Sequence, residues 1–267
     1  MTPGDSLFLR TGTIDVDAAV IGVSRARWGH LNSEEASIEK AIPLMEANRF
    51  DVLPIDNGSD DPIYEYFHTQ HWGKWTNETV VRSQITFRDV LPAQTSVLNL
   101  IEKFVMCDRL FFFLTYEHRI VGLVSAANLN SRQVNFYLFA LLCELETRLS
   151  RLIKHHLDKT LILACLKEKA QEDYQKDCEK GFENDAVQYL YLSSLLTLVH
   201  NQNLYKILGY SRKKQFKDMN SLNELRNQVM HPVRSLIHDK SSLSKLWERI
   251  EKLQDVLFRL RQVQGIN

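Results

Sequence analysis

Three side chains that can act on a phosphate group lie close together near the C-terminus of the chain. They are Arg226, Asn227 and His231, in the segment "SLNELRNQVMHPVRSLI" (221–237). An imidazole with a pKa near neutrality can transfer a proton, and a guanidinium can neutralise phosphate oxygens. The segment is therefore either a reaction site or an ordinary packing helix with polar residues on its solvent side.

Helical periodicity in this segment separates the apolar residues from the polar ones. On a helix, the apolar side chains form one narrow stripe, which comprises Leu222, Leu225, Val229, Val233 and Leu236. Arg226 and His231 lie off the stripe and bound a sector of about 140°. Ser221 and Glu224 have the spacing of a capping box, and Pro232 predicts a kink or break at His231. The stripe accounts for the apolar residues but not for the polar edge.

The residues around this polar edge resemble the HEPN superfamily. "NELRNQVMHP" (223–232) is similar to its signature of an arginine, a polar residue, three further residues and a histidine. "LETRLSRLI" (145–153) resembles a segment near the start of such domains, with Glu146 in the acidic place and Ser150 where an arginine is frequent. The resemblance covers an all-α region of suitable length, residues 134–267.

This resemblance implies a metal-independent endoribonuclease that acts as a dimer and needs no cofactor for catalysis. RNA supplies the nucleophile, its own 2′-hydroxyl. The resemblance makes His231 the general base, or the acid on the leaving side, Arg226 the phosphate clamp and Asn227 an orienting donor, with Glu146 completing the candidate catalytic set. The alternative is that Arg226 and His231 only face solvent, as most such residues on helices do.

Two further features of the C-terminal half bear on its partners. "SRKKQFK" (211–217) could hold an RNA backbone through Arg212, Lys213, Lys214 and Lys217 and stack a base on its phenylalanine, although a solvated loop is the alternative. Helical spacing predicts long apolar helices at 136–153 and 186–208, which exceed what a small bundle needs to cover. We therefore expect a homodimer whose C-terminal domains meet near His231.

The N-terminal half has a different pattern of apolar and turn-forming residues. Short apolar runs broken by turn residues predict strands at 50–56, 62–67, 110–115 and 119–125. Helical spacing with a leading serine predicts helices at 37–48 and 96–107. A shift of 59 residues superposes these elements, for example Ser37 on Ser96 and Leu53 on Phe112. Two copies of helix, strand, turn and strand therefore form a pseudo-symmetric pair.

This repeat resembles a tandem cystathionine-β-synthase (CBS) domain pair over residues 10–133. "VGLVSAANL" (121–129) is similar to the closing motif of that family, with Gly122, Ser125 and Asn128 in the motif positions. The resemblance implies a site for an adenine nucleotide in the cleft between the repeats, to which Thr86 and Arg88 of "ITFRDVL" (85–91) also contribute. The alternative is that Ser125 and Asn128 only end a strand and cap a helix.

Composition limits the class of protein. The 267 residues suffice for two domains, and 44% of them are apolar and 25% charged, as in globular proteins. No apolar stretch reaches membrane-spanning length and no export signal is evident, so we expect a cytoplasmic protein without a membrane partner. The four cysteines lack metal or disulfide spacing, and neither His155–His156 nor His68 and His71 have ligand partners, so no metal site is expected.

The net charge of zero conceals an asymmetry between the halves. Residues 1–135 hold 12 Lys+Arg against 17 Asp+Glu, and residues 136–267 hold 21 against 16. The C-terminal half is therefore the better candidate for a polyanionic partner, although a solvated helical surface would show the same bias.

These observations predict an α/β plus all-α protein. A tandem CBS-like nucleotide-sensing domain (1–133), made of two β-α-β-β-α repeats, precedes a HEPN-like helical bundle (134–267). The expected function is a nucleotide-regulated, metal-independent endoribonuclease, such as a toxin or an anti-phage defence effector. The alternative is a non-catalytic adenine-nucleotide sensor whose helical bundle dimerises or docks a partner.

Overall fold

The computed structural model describes residues 16–58, 61–182, 185–231 and 233–263. Pro232, part of the predicted break, and residues 1–15 of the predicted first domain lie outside the described residues. The described chain forms two compact units: an α/β unit (16–137 and 235–247) and a helical unit (138–234 and 248–263). The segment 235–247 thus belongs to the α/β unit, which a single boundary between residues 133 and 134 does not anticipate.

The α/β unit contains short strands and helices. Its strands are β1 (Val23–Ser24), β2 (Val52–Ile55), β3 (Glu65–Thr69), β4 (Val80–Gln84), β5 (Val90–Pro92), β6 (Phe111–Tyr116) and β7 (Arg119–Ser125). Its helices are α1 (Ala18–Ile21), α2 (Ile38–Asn48) and α3 (Val97–Met106). The first residues of α4 (Arg132–His156) and of α10 (Lys240–Gln262) also belong to it.

The strands of this unit form two sheets of matching design. One sheet has the order β1-β7-β6-β5, and the other has the order β2-β3-β4. β6 and β7 are antiparallel and β5 runs parallel to β6. In the other sheet β2 and β3 are antiparallel, and Leu31 forms a parallel bridge to Ile55 of β2. Both copies of the repeat therefore contain the predicted order of helix, strand and strand.

The helices of the two copies begin as the sequence predicts. Ser37 precedes α2 and its hydroxyl accepts a hydrogen bond from the Lys40 backbone N–H at 3.3 Å. Ser96 precedes α3 and accepts from the Asn99 N–H at 3.4 Å. Such caps satisfy backbone donors that the first turn leaves free. The closing helix expected after the second copy is a 3₁₀ turn, Ala126–Asn130.

The two sheets share an aromatic core. Residues from both sheets form one buried cluster, which comprises Trp28, Val52, Ile63, Tyr66, Phe111, Phe113 and Leu123. The Phe113 ring meets those of Trp28 and Tyr66 edge to face, with centroids 6.1 and 5.3 Å apart. The segment 235–247 is held by Asn130, whose amide exchanges two hydrogen bonds of 3.0 Å with the Ile237 backbone.

The helical unit is formed by the remainder of the chain. Beyond the C-terminal parts of α4 and α10, its helices are α5 (Lys159–Ala164), α6 (Glu168–Glu179), α7 (Leu192–Asn201), α8 (Lys213–Lys217) and α9 (Ser221–Val229). The segment 186–208, which the sequence predicts to be continuously helical, is divided into the 3₁₀ turn Ala186–Tyr189, helix α7 and the 3₁₀ turn Leu204–Lys206. No helix in the described ranges has the length and apolar character needed to cross a membrane.

The apolar faces of α4 and α7 are covered within the chain. On α4 within the helical unit, the buried residues are Leu138, Leu141, Leu142, Leu145, Leu149, Leu152 and Ile153. Exposed large apolar residues in the segments 136–153 and 186–208 are Phe136, Phe139, Tyr191 and Ile207. The premise that these two segments carry more apolar surface than one chain can cover is therefore wrong, because the other helices cover most of it.

Polar side chains tie α10 to the rest of the helical unit. Arg261 binds both carboxylate oxygens of Glu144 on α4, at 3.0 and 2.7 Å. Asp255 accepts from the Tyr210 hydroxyl at 2.6 Å and from Arg259 at 2.8 Å. Burial and the neighbouring Asp255 raise the pKa of Tyr210. The tyrosine therefore stays protonated and donates this hydrogen bond at all ordinary pH values.

Candidate functional site

Helix α9 carries the arginine of the candidate site. Leu222, Leu225 and Val229 are buried, which confirms the apolar stripe over the length of the helix. The predicted capping box of Ser221 and Glu224 is wrong. A 3₁₀ turn, Asp218–Asn220, leads directly into α9, so Ser221 has helical rather than extended backbone angles (φ −61°, ψ −18°). Its hydroxyl donates to the Asp218 carbonyl at 3.0 Å instead.

His231 lies beyond the end of this helix. Helix α9 ends at Val229, and the His231 backbone N–H donates to the Gln228 carbonyl at 3.2 Å. The chain therefore leaves the helix slightly before the predicted break at His231. Because the helical projection no longer applies past this point, Val233 is 95% exposed rather than part of the apolar stripe. His231 is exposed.

Arg226 meets Glu146 from a distant part of the sequence. The Arg226 Nε lies 3.9 Å from Glu146 Oε1 on α4, and the two side chains are 38% and 36% exposed. Burial raises the pKa of Glu146, and the guanidinium of Arg226 acts in the opposite direction. The fold thus brings together two of the four predicted catalytic residues and leaves both accessible.

The other two candidates make no such contact. Asn227 and His231 are exposed, and their side chains form no hydrogen bond or ion pair with any residue in the described ranges. The predicted set is therefore an Arg226–Glu146 pair, with Asn227 following Arg226 on α9 and His231 just past the helix end.

Arg249 of α10 holds α9 and was missed by the sequence analysis. Its Nη1 donates to Gln228 Oε1 at 2.8 Å, and its Nη2 binds the carboxylate of Glu224. The side chain is 14% exposed. No local pattern could reveal this contact, because it joins two helices whose pairing depends on the tertiary fold.

A cleft lies beside Glu146, and we refer to it as the Glu146 cleft. It has a volume of about 490 Å³ and is lined by Glu146, Thr147, Ser150, Arg151, Lys154, Asp185, Val187, Gln188, Leu190 and Leu195. Ser150, which stands where the HEPN resemblance favours arginine, is one of the lining residues. The sequence analysis did not anticipate this cleft, since its two walls come from α4 and from residues 185–195.

The basic segment 211–217 differs from its predicted form. Arg212, Lys213, Lys214 and Lys217 are exposed at or on the short helix α8. Phe216 is only 1% exposed, and its ring packs against those of Tyr205 and Tyr210, with centroids 6.5 and 5.6 Å apart. The expectation that this phenylalanine stacks a base is therefore wrong, because the aromatic side chain is part of the core.

The predicted nucleotide-binding residues do not form one site. Ser125 and Asn128 line a cleft of about 390 Å³, together with Val23, Arg27, Trp28, Gly29, Asn48, Arg49, Phe50, Asp51, Val52, Leu123 and Ala127. We refer to it as the Ser125 cleft. Thr86 and Arg88 line a separate and larger cleft of about 760 Å³, the His68 cleft. The expectation that Thr86 and Arg88 share one binding site with Ser125 and Asn128 is therefore wrong.

Gly122 contributes to neither cleft. A Cβ atom at this position would lie 2.5 Å from the Val23 carbonyl oxygen of β1. The glycine therefore permits the close pairing of β7 with β1 rather than the approach of a ligand.

The Ser125 hydroxyl and the Asn128 side chain interact with each other. Asn128 Oδ1 accepts from the Ser125 backbone N–H at 2.7 Å and from the Ser125 hydroxyl at 3.1 Å. These contacts match the capping alternative considered for the sequence. The Asn128 amide nitrogen remains the group of this pair that can still donate to a ligand.

The His68 cleft is lined by an ion pair between the buried Asp89 and the partly exposed Arg109. Asp89 pairs with Arg109 and accepts from the Thr86 backbone N–H at 2.7 Å and from its hydroxyl at 2.5 Å. Burial raises the pKa of Asp89, but the Thr86 donors and Arg109 outweigh it and hold that pKa below its usual range. Thr86 is therefore committed to Asp89, whereas Arg88 is exposed.

His68 lies in the same cleft. Its Nε2 is 3.1 Å from the Ser83 hydroxyl. Burial lowers the pKa of His68, so the neutral imidazole predominates at physiological pH.

Known proteins show little similarity to this chain. No protein-family model matches the sequence, and no curated protein matches it. Among solved structures, a hexameric CBS-CP12 protein from bloom-forming cyanobacteria is similar, with a TM-score of 0.32 and 14% identity over 67% of this chain and 96% of that chain. Functional interpretation therefore depends on the residues of this chain.

Proposed function

We propose that the chain is a metal-independent endoribonuclease of the HEPN type, regulated by an adenosine-containing nucleotide that binds its CBS-like α/β unit. The observation that carries the proposal is the meeting of Arg226 and Glu146 at an accessible surface, 3.9 Å apart, with His231 exposed just beyond the end of the same helix. An imidazole and a guanidinium are groups that can catalyse the transesterification of RNA.

The proposed reaction uses the substrate's own nucleophile. The 2′-oxygen attacks the adjacent phosphorus while His231 accepts the 2′-hydroxyl proton. The bond from phosphorus to the 5′-oxygen breaks, and that oxygen leaves with a proton supplied by water. The products are a 2′,3′-cyclic phosphate and a 5′-hydroxyl. Arg226 neutralises the charge that builds up on the phosphorane oxygens, and Asn227 donates to the substrate.

Glu146 acts on this chemistry through Arg226. A carboxylate beside a guanidinium restricts its orientation, so Glu146 is a positioning residue in the proposal. The partial burial of Glu146 raises the pKa of its carboxyl group, and the Arg226 guanidinium opposes this rise.

A two-fold dimer would complete the site. Met230 and Val233, on either side of His231, are 42% and 95% exposed. Pairing of two chains at this surface would bury these apolar side chains and bring the two His231 residues into one cleft. Light scattering should then give twice the chain mass of 31.1 kDa at micromolar concentration. A result at the chain mass would remove the dimer from the proposal.

The test of the ribonuclease proposal is direct. Purified protein is incubated with total RNA in EDTA, with and without AMP, ATP or NAD. We expect RNA fragments in EDTA and a change in their yield with one of the nucleotides. Intact RNA under every condition would refute catalysis.

The proposed nucleotide site is the Ser125 cleft. It combines the guanidinium groups of Arg27 and Arg49 with the aromatic rings of Trp28 and Phe50. Cationic groups suit a phosphate, and an aromatic wall suits a base. Asn128 is a poor test position, because its removal also removes the cap on Ser125.

An adenosine-containing nucleotide should therefore raise the melting temperature of the protein. We expect Arg27→Gln to reduce this shift by at least half, because an exposed phosphate partner is lost, and Lys103→Gln on α3, outside the cleft, to leave it unchanged. Differential scanning fluorimetry with AMP, ATP and NAD checks this result. Equal shifts for both variants would place the ligand elsewhere.

A second candidate function is a nucleotide-sensing scaffold without catalysis. It is favoured by the absence of any hydrogen bond or ion pair from the His231 side chain to the described residues, Arg226 included. Such a protein would show the nucleotide-dependent melting shift but no RNA cleavage in EDTA. The ribonuclease proposal requires cleavage as well.

A further inference from the structure

The Glu146 cleft adjoins the proposed catalytic pair. Along α4, Glu146, Ser150 and Lys154 follow one another at intervals of one helical turn and form one wall over about 12 Å. The opposite wall comes from residues 185–190 and Leu195. At one end of the cleft, Glu146 contacts Arg226 at 3.9 Å. At the other end, Lys154 Nζ binds Asp185 Oδ2 at 2.5 Å.

The two walls have different chemical character. Val187, Leu190 and Leu195 provide an apolar surface on one side. The hydroxyl of Ser150 and the amide of Gln188 can each donate and accept hydrogen bonds, and neither is engaged by another described side chain. Such a combination suits a flat heterocycle with polar edges. A volume of about 490 Å³ lies within the usual range for small-ligand sites.

The charges of the cleft favour an anion next to this heterocycle. Glu146 is opposed by Arg226, and Lys154 by Asp185, so neither end has a net charge. Arg151 lines the cleft, is exposed and has no ion-pair partner in the described ranges. The uncompensated charge is therefore one guanidinium, which suits a single phosphate.

We propose that the Glu146 cleft binds one nucleotide of single-stranded RNA, adjacent to the phosphate that is cleaved. The base lies against Val187 and Leu190, Ser150 and Gln188 hydrogen-bond its edge, and Arg151 binds the adjoining phosphate. A base in a duplex is stacked and paired and cannot enter such a cleft, so the substrate is single-stranded. The identification of the neighbouring phosphate as the scissile one rests on the proposed ribonuclease function.

Binding to a catalytically silent protein tests the subsite. Fluorescence anisotropy is measured with a labelled single-stranded RNA on the His231→Ala background, where cleavage does not remove the probe. Arg151→Gln and Gln188→Ala should each weaken binding by roughly tenfold, as expected for the loss of one charged or well-placed hydrogen bond. Lys169→Gln and Gln171→Ala, exposed positions on α6 outside the cleft, are the matched controls and should bind normally.

Three further readouts separate a binding role from a structural one. A duplex of the same sequence should bind at least tenfold more weakly than the single strand. With His231 intact, Gln188→Ala should raise KM and change the base preference at the cut site while kcat stays within about twofold. The melting temperatures of Arg151→Gln and Gln188→Ala should match that of the parent, because both side chains are exposed.

The outcomes distinguish failure of the subsite from failure of the ribonuclease proposal. If the chain cleaves RNA but Arg151→Gln and Gln188→Ala bind like their controls, the subsite is overturned and the ribonuclease proposal stands. If RNA binds and both variants weaken it, yet no cleavage occurs, the cleft is an RNA-binding site of a non-catalytic protein. In that case the position of the scissile phosphate is overturned.

Discussion

Replacement of His231 by alanine is expected to lower the rate of RNA cleavage by roughly 10² to 10⁴-fold, the usual contribution of a positioned general base. The imidazole is exposed, lies beyond the end of α9 and makes no hydrogen bond to the described residues, so its removal leaves no buried group unsatisfied. The free energy of unfolding should therefore change by no more than about 0.5 kcal/mol. Single-turnover cleavage and chemical denaturation measure the two quantities on one preparation.

Two variants serve as controls for this prediction. His238→Ala removes another exposed histidine and should cleave at the parental rate. Leu225→Ala removes a fully buried side chain of the α9 stripe and should cost about 2–5 kcal/mol of stability. The molecules of this variant that remain folded should still cleave RNA. A His231→Ala protein that unfolds would show that the histidine has a structural role, and one that cleaves at the parental rate would show that it is not the general base.

Replacement of Arg226 by alanine is expected to reduce cleavage by a similar factor, about 10² to 10³-fold, because the phosphorane oxygens lose their cationic partner. Arg226→Lys should recover only part of the rate, since an ammonium cannot reproduce a planar two-donor contact. Arg226→Ala leaves the partly buried Glu146 without its neighbouring cation, so the pKa of Glu146 should rise further. The side chain of Arg226 is 38% exposed, so we expect little loss of stability.

Glu146→Gln is the matched test of the positioning role. The amide oxygen keeps a polar acceptor beside Arg226, so this variant should lose less activity than Arg226→Ala. Its rate should also be less sensitive to pH on the acidic side, because protonation of Glu146, which releases Arg226 in the parent, no longer occurs. Equal losses in Glu146→Gln and Arg226→Ala would instead make the carboxylate a direct participant in the reaction.

Local features of the sequence predicted local features of the fold. The serines at positions 37 and 96 cap helices as expected, because an N-cap depends only on residues within one turn. The repeat gave the helix–strand–strand order of both copies, since apolar periodicity is set by which face is buried. For the same reason, Leu222 and Leu225 are buried as predicted.

Features that depend on distant residues were not predicted. Periodicity continued the apolar stripe to Val233, but the helix ends at Val229 and the side chain is exposed. A basic segment with an aromatic residue is typical of a surface that binds RNA, yet Phe216 is held in the core by Tyr205 and Tyr210. The contact of Arg249 with Gln228 depends on how two helices pair, which no short motif encodes.

The candidate sites show the same division. The HEPN resemblance placed Glu146 and Arg226 in one candidate catalytic set, and in the structure their side chains lie 3.9 Å apart. The CBS resemblance placed Thr86 and Ser125 at one site, but the pseudo-symmetry of the repeat creates two clefts and separates them. A motif identifies which residues can bind a ligand, whereas the pairing of the sheets decides which of them share a cleft.

The most direct test of the proposed ribonuclease mechanism blocks the 2′-hydroxyl nucleophile of the substrate. A single-stranded RNA oligonucleotide and its 2′-O-methyl counterpart are incubated with the purified protein in EDTA, and the product ends are analysed by mass spectrometry. The proposed mechanism predicts 2′,3′-cyclic phosphate and 5′-hydroxyl ends from the RNA, no cleavage of the methylated strand and, with His231→Ala, cleavage of the RNA slowed by roughly 10²-fold or more. Cleavage of the methylated strand, or products with 5′-phosphate ends, would contradict it.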